Sequence, residues 1–430
     1  MTPPSATDLP PGGAPDVGPP PDPGATPWAK RTFAALAHRN YRLFFVGMAI
    51  SSVGGWARSA AQQKLVWDLT RDSAWLGWVG AASLLAIALA TTPGGALADR
   101  LDRRRVLMAL QLVQGALSGT LATLTALGTV TPAAVLVNAI GLGLAGGAEM
   151  PFRQSYVVEL VGKGGLRNAV ALNSIMFNLP LALGPAVAGE IMARTSVAWV
   201  FAFDAVSYLA AFVGYAMIRT APRARPVGPA GAGDGYLAGA RYVRGHREAR
   251  SILVLLSLAM ILGWAYTSQL AAYAAQNLGA GARGYGFLFS SSGIGACLGA
   301  AWVAGRPAPR PHVAMRRALG AFALSLVAMG LFPTYAVAYT ARVVAGFSMI
   351  SFFATGNSTV QLGLPDAVRG RVMALWSFTF SLSLGLGQVL FGFAARRSSV
   401  PATFVVGGCL LFAVAALGTG VAAYRSRSTT

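Results

Sequence analysis

The chain has 430 residues, of which 55% are apolar and only 11% charged, against about 25% charged in a typical soluble protein. With a mean hydropathy of +0.56, it has too little polar surface to coat a water-soluble fold of this size. A soluble enzyme is therefore excluded, and an all-α, multi-pass membrane protein is expected.

Residues 1–28 hold ten prolines, several glycines and no Lys or Arg. Such a segment cannot bury a core and is expected to be a disordered tail. It also lacks the basic start, apolar run and small-residue cleavage site of a secretory signal. From Tyr41 onward, apolar stretches of bilayer-crossing length recur. Twelve spans are predicted: 41–65, 75–98, 104–127, 132–158, 166–193, 199–219, 251–277, 284–305, 312–332, 335–361, 370–395 and 401–424. The polar segment 220–250 divides them into two six-helix halves, 29–219 and 251–424, ahead of a short tail at 425–430. A short amphipathic helix is expected within it at Tyr236–Arg244.

Lys and Arg outnumber Asp and Glu by 34 to 14, for a net charge of +20. In a soluble chain that would suggest nucleic acid. With the N-terminus inside and the spans alternating, the inside segments carry 25 of the 34 basic residues and the outside segments six. Three, Arg58, Arg153 and Arg342, fall within spans. The positive-inside rule thus places both termini in the cytoplasm, and no nucleic-acid partner is needed. Cys297 and Cys409 lie in apolar runs, and the three histidines lie beside basic segments. Neither a disulfide framework nor a metal site is expected, and no cofactor.

The halves resemble each other. His38-Arg39-x-x-Arg42 and Gly55-Trp56 recur as His246-Arg247-x-x-Arg250 and Gly263-Trp264, both 208 residues later. Ala171-Leu172-x-Ser174 recurs as Ala374-Leu375-x-Ser377. Three matches in order suggest a duplication, as in transporters that bind substrate between repeats.

A charge at bilayer depth costs about 2.5 kcal/mol or more by insertion scales, so each intramembrane charge needs a partner, water or a task. Ser51, Gly55, Arg58 and Gln62 form one face of span 1. Asn138, Glu149, Arg153 and Tyr156 stripe span 4, Arg342, Gly346 and Asn357 span 10, and Ser377, Ser381 and Gln388 span 11. Converging stripes imply a hydrated cavity or, equally, polar glue between helices. Glu149 and Asp204 are the candidate proton carriers, because desolvation and a nearby arginine tune a carboxyl in opposite senses. The plainer readings are an ion pair with Arg153 for Glu149 and a capping or interface role for Asp204. Glu190 is expected at the surface. Candidate cavity or substrate residues are Arg58, Gln62, Asn138, Arg153, Trp264, Tyr266, Arg342 and Gln388. Trp56, Tyr273, Phe352 and Phe353 either line an apolar pocket or face lipid.

Between spans 2 and 3 stands Gly95-Ala96-Leu97-Ala98-Asp99-Arg100-Leu101-Asp102-Arg103-Arg104-Arg105. Gly95 permits close helix contact, Asp99 ends span 2, and Arg100, Arg103 and Arg104 can pair with it or with a helix C-terminus. Such a cluster can act as an inside latch or as a simple positive anchor. The segment resembles the loop signature of the major facilitator superfamily, departing from it where Asp102 replaces Gly. Gly184-Pro185-Ala186-Val187-Ala188-Gly189 in span 5 is similar to the helix 5 motif of proton-coupled exporters, with Ala188 for one Gly. The exporters' helix 4 Arg followed four residues later by Gly is missing from span 4, and a similar Arg342…Gly346 occurs in span 10. His38–Phe44, Asn168–Ser174 and Pro365-Asp366-x-x-Arg369-Gly370-Arg371-Val372-Met373 look like one branch of that superfamily. This is the drug–proton antiporter group of enterobactin exporters and macrolide efflux proteins, also called the transmembrane secretion effector family. In that branch Asn tends to stand where this chain has Asp204.

The resemblance implies proton-driven export of a moderately hydrophobic small molecule (a drug, antibiotic or siderophore) across the bacterial inner membrane, with alternating access. Substrate, protons and lipid are the expected partners, and the chain is expected to be a monomer. An importer or facilitator of a small metabolite on the same fold is the alternative, against which the span 5 motif stands. A receptor would need a larger linker. An enzyme would need a catalytic constellation in the helices, and ATP use a Gly-x-x-x-x-Gly-Lys-Ser/Thr loop; the sequence has neither.

Overall fold

The computed structural model describes residues 34–98, 100–219, 235–305 and 309–427, with backbone alone at 34, 162–171, 173, 174, 177, 235–238, 366, 367 and 418–427. The expected disordered tail 1–28, the linker stretch 220–234 and Asp99 lie outside the described residues. The described chain is helical and contains no strand. After a 3-10 turn at Ala34–Ala37 come α1 (Arg39–Thr70), α2 (Ser73–Ala98), α3 (Arg103–Ala126), α4 (Pro132–Arg194) and α5 (Val197–Met217). Helix α6 (Gly235–Gly245) is the short helix expected in the linker. Then follow α7 (Arg247–Leu262), a 3-10 helix (Trp264–Gln269), α8 (Leu270–Gln276), α9 (Ala282–Gly305), α10 (Pro311–Leu331), α11 (Tyr335–Leu362), α12 (Asp366–Arg397) and α13 (Val400–Arg427).

Among the described residues, ten stretches are long and apolar enough to cross a membrane. The two other predicted spans fall in α1, whose apolar run is diluted by serines, glycines and Arg58, and in the second part of α4. Both pack inside the bundle. Large apolar side chains such as Val137, Trp199, Leu298 and Leu417 point outward, as lipid requires and water would penalise.

Helix α4 has 63 residues and would be about 95 Å long if straight, against a hydrocarbon core of about 30 Å. Its two arms instead run antiparallel. The first arm follows α2, with Gly143 against Ser83 and Gly147 against Ile87. The second runs against α9, with Gly189 on Gly286 and Ala182 on Gly293. Helices α2 and α9 start at the same end of the bundle, where Tyr285 and Gln269 meet Ala60 and Ser73. The expected break between spans 4 and 5 is thus a reversal within one helical segment.

Span 7 departs from expectation in the opposite way. It is predicted as one helix over 251–277 but is broken at Gly263, which caps α7 with φ −116° and ψ −84°. A Cβ at Gly263 would collide with the Phe322 ring. The tighter 3-10 turn that follows aims Tyr266 and Gln269 into the protein, where both are fully buried.

Two seams join the halves: α2 against α12, and the second arm of α4 against α9. Gly77 and Gly80 lie on Gln388, and Gly392 lies on Ser73 and Ala74. At Gly286 an added Cβ would meet backbone of Pro185 and Gly189, so the helices touch backbone to backbone, as small residues allow in lipid.

Candidate functional site

Helix α1 turns Arg58 and Gln62 to one face because they are four residues apart. The Arg58 guanidinium donates to Gln62 Oε1 at 3.0 Å. Its Nε lies 3.1 Å from Asp204 Oδ2 on α5. Asp204 has 0% exposure, so the fully buried carboxylate is compensated by a partly buried arginine. Ser118 of α3 donates to the same oxygen at 2.6 Å, while Oδ1 has no hydrogen-bond partner. Gly54 makes room: a Cβ there would press on Ser207 and on Asp204 Oδ1. The capping reading of Asp204 does not fit, since it lies inside α5 and is paired across the half.

Glu149 is a second buried carboxylate, on the first arm of α4. Gln114 of α3 donates to its Oε2 at 2.7 Å. Arg153, one turn on, stands 3.8 Å from Oε1, which accepts no hydrogen bond. The residues that join these acids, Gln114 and Ser118, escaped the sequence reading. They lie in a span that carries no charge at that depth. The available signal was the spacing Gln111, Gln114, Ser118, one face of a helix; all three are buried.

Arg342 in the C-terminal half is also 0% exposed, but it has no acid. It donates to the carbonyls of Leu288 (2.7 Å) and Phe289 (3.0 Å), to Tyr266 Oη (2.9 Å) and to Ser292 Oγ (2.9 Å). The rings of Tyr266 and Phe289 lie 5.4 and 5.6 Å from its guanidinium carbon. With four hydrogen bonds and no exposure, Arg342 and Tyr266 rivet α11 to α9 and to the broken span. Tyr273 and Phe352 are buried in the same apolar core, and Trp264 packs on its edge against Phe322.

The other candidates scatter. Asn138 donates to Leu117 O at 2.8 Å and so ties α4 to α3. Gln388 sits in the α2–α12 seam, not beside the acids. Glu190, expected on the surface, bridges the halves: it pairs with Arg194 at 2.5 Å and with Arg283 of α9 at 2.8 Å. At the same end, Arg396 meets Asp72 at 3.3 Å, Tyr285 donates to Ala60 O at 3.0 Å, and Gln269 to Ser73 O at 3.2 Å. These contacts clasp the halves at the end where α1 finishes and α2 begins. Gly184 and Gly189, which flank Pro185, form tight contacts on either side, against Val53 and Trp56 and against Gly286.

At the opposite end, Arg104 donates to the carbonyls of Tyr215 (2.7 Å) and Ala216 (2.6 Å), and Asn40 to that of Arg219 at 2.9 Å. Both satisfy the last carbonyls of α5 and its extension. Arg103 pairs with Glu159 and with Ala98 O, while Arg100 is exposed. Close packing falls to Gly94, which lies on Ala148, and not to Gly95, which faces open space. Asp102, the departure from the loop signature, is the N-cap of α3 and accepts from Arg105 N at 2.9 Å.

The staphyloferrin A transporter of Staphylococcus aureus is 22% identical over 379 residues, covering 85% of this chain and 92% of that protein. The enterobactin exporter EntS of Escherichia coli is 24% identical over 410 residues, covering 91% and 95%. Among solved structures, a POT family transporter in complex with 5-aminolevulinic acid superposes with a TM-score of 0.70 at 13% identity, covering 88% and 95% of the two chains. A bacterial homologue of the human lysosomal transporter Spinster, inward-facing and occupied, gives 0.67 at 14%, covering 90% and 97%. Likeness at this identity shows the fold alone. Residues 30–428 match the transmembrane secretion effector family over almost the whole chain, and the chain is a multi-pass membrane transporter belonging to that family.

Proposed function

We propose that this transporter exports a moderately hydrophobic small molecule by proton antiport with alternating access. The observation that carries the reading is the pair of buried carboxylates, Asp204 and Glu149, each ion-paired to an arginine. Both lie in the N-terminal half. Among the described residues, the charged group buried inside the C-terminal half is Arg342, which donates only to neutral acceptors. Proton handling therefore belongs to the first half. The positive-inside count supports cytoplasmic termini, which makes the clasped end the outer one. A bundle clasped there is closed towards the outside. The membrane potential supplies about 2.3 kcal/mol per charge per 100 mV, so one proton moving inward sustains a substrate gradient of tens-fold. The relatives named for staphyloferrin A and enterobactin make a siderophore-like molecule the first substrate to try.

The test uses energised inside-out vesicles containing the protein, with lumenal pH as the readout. A catecholate siderophore, a carboxylate siderophore, a macrolide and a lipophilic cation are added in turn. At least one is expected to make the lumen more alkaline, and Glu149→Gln or Asp204→Asn to abolish the signal. Passage of labelled substrate down its gradient with no pH response would instead mean a facilitator.

A further inference from the structure

The buried face of α3 consists of Leu107, Gln111, Gln114, Ser118 and Leu121. Three polar side chains occupy its centre, where packing alone favours apolar ones, since an unpaired buried polar group is costly. Two of them are spent on carboxylates: Ser118 on Asp204 Oδ2 at 2.6 Å, and Gln114 on Glu149 Oε2 at 2.7 Å. They stand four residues apart, adjacent on one helical face. In both acids the second oxygen, Asp204 Oδ1 or Glu149 Oε1, is buried and accepts no hydrogen bond. A hydrogen bond donated to a carboxylate favours its charged form, whereas an orphan buried oxygen favours taking a proton.

We propose that Ser118 and Gln114 are positioning residues of the proton step. Each holds its carboxyl by one oxygen and leaves the other free to accept the proton, and α3 keeps the two acids in fixed register. The inference rests on the antiport reading above. The charged and titratable groups around the acids come from α1, α4 and α5. Arg58 faces Asp204 from α1, and Tyr208 of α5 lies within electrostatic reach of Asp204, Arg58 and Glu149. Arg153 faces Glu149 from its own helix, and Tyr215 of α5 lies within reach of Glu149, Arg153 and Tyr156. The interacting face of α3 carries no titratable group. What α3 adds is hydrogen bonding that selects a protonation state without adding charge.

The test is substrate-triggered proton release from purified full-length protein in weakly buffered solution, followed against pH. The substrate is whichever of the four compounds above gave the vesicle signal, or the catecholate siderophore if none did. Losing a hydrogen bond to a charged group is expected to move the pH midpoint of release upward by about one to two units in Ser118→Ala and in Gln114→Leu. Ser118→Thr, which keeps the hydroxyl, should restore it. Thermal unfolding run in parallel shows that each variant is folded. If the wild type releases protons through Asp204 and Glu149 but folded Ser118→Ala and Gln114→Leu keep its midpoint, the positioning role is overturned and antiport stands. If the wild type releases none, or Asp204→Asn and Glu149→Gln leave release intact, the antiport reading itself fails and takes this inference with it.

Discussion

Replacing Arg58 by Met removes the counter-charge of Asp204 while keeping most of the side-chain volume. The aspartate has 0% exposure, and Arg58 Nε is 3.1 Å away. Removing one partner of a buried pair costs about 3–5 kcal/mol, mostly because the remaining charge is stranded. Ser118 still donates to Asp204, and Gln62 loses the Arg58 donor, so a value near the lower bound, about 3 kcal/mol, is expected. Asp204→Leu strands Arg58 less completely, since its side chain is 18% exposed, and about 2 kcal/mol is expected. The double variant Arg58→Met/Asp204→Leu leaves neither charge behind and should cost only about 1 kcal/mol relative to wild type, for the lost Ser118 and Gln62 partners. The coupling is then about 4 kcal/mol, well above the scatter of additive sites. Unfolding of the detergent-solubilised protein by graded denaturant reports the cycle. Additive single effects, with the double variant losing about 5 kcal/mol, would refute the claim that the pair is one electrostatic unit.

Arg342→Lys keeps the charge but loses the planar fork that serves four acceptors, and a loss of about 3 kcal/mol is expected in the same unfolding assay; an unchanged stability would deny it the rivet role. Asp102→Ala removes the α3 cap at a cost of about 1 kcal/mol, whereas Asp102→Gly, the residue of the family signature, costs only a few tenths, and equal losses in unfolding would show that capping is not its role. Glu190→Gln and Arg283→Gln each weaken a solvent-exposed pair that adds little to stability, so stability should hold while a thiol probe placed at Ala60→Cys becomes faster to label; an unchanged labelling rate would mean that this pair does not help to close this end. Gly286→Val should spread the α4–α9 seam, because its Cβ has no space, and raise the same labelling rate further; labelling as slow as in the wild type would contradict the backbone-to-backbone contact.

Much of this molecule is readable along one dimension. Span length and composition follow from the cost of exposing backbone and charge to hydrocarbon, which acts residue by residue. Ten of the stretches therefore stand where the sequence puts them. Loop charge and the signature from Gly95 to Arg105 are local for the same reason, and they lead to the family before any coordinate is known. The two acids worth watching, Glu149 and Asp204, are conspicuous because carboxylates are rare at that depth.

Pairing is different, because it depends on which faces meet. Arg58 and Asp204 lie 146 positions apart, and Ser118 joins them from a third helix. No spacing rule links residues on separate helices. Arg342 and Tyr266 look like cavity residues in the sequence, yet packing encloses them with the carbonyls of Leu288 and Phe289. Gln388 belongs to a polar stripe by periodicity, but the glycines opposite it turn that stripe into a seam between halves. At the break, Gly263 likewise has no room for a side chain because the ring of Phe322 stands there from another helix. The sequence by itself thus determined that the chain crosses a membrane, where it does so and to which family it belongs, since these follow from transfer energies and local motifs. Only the tertiary structure decided which buried charges are paired, which are locked and where the halves close, because a buried polar group is stabilised by partners that the chain brings together only on folding.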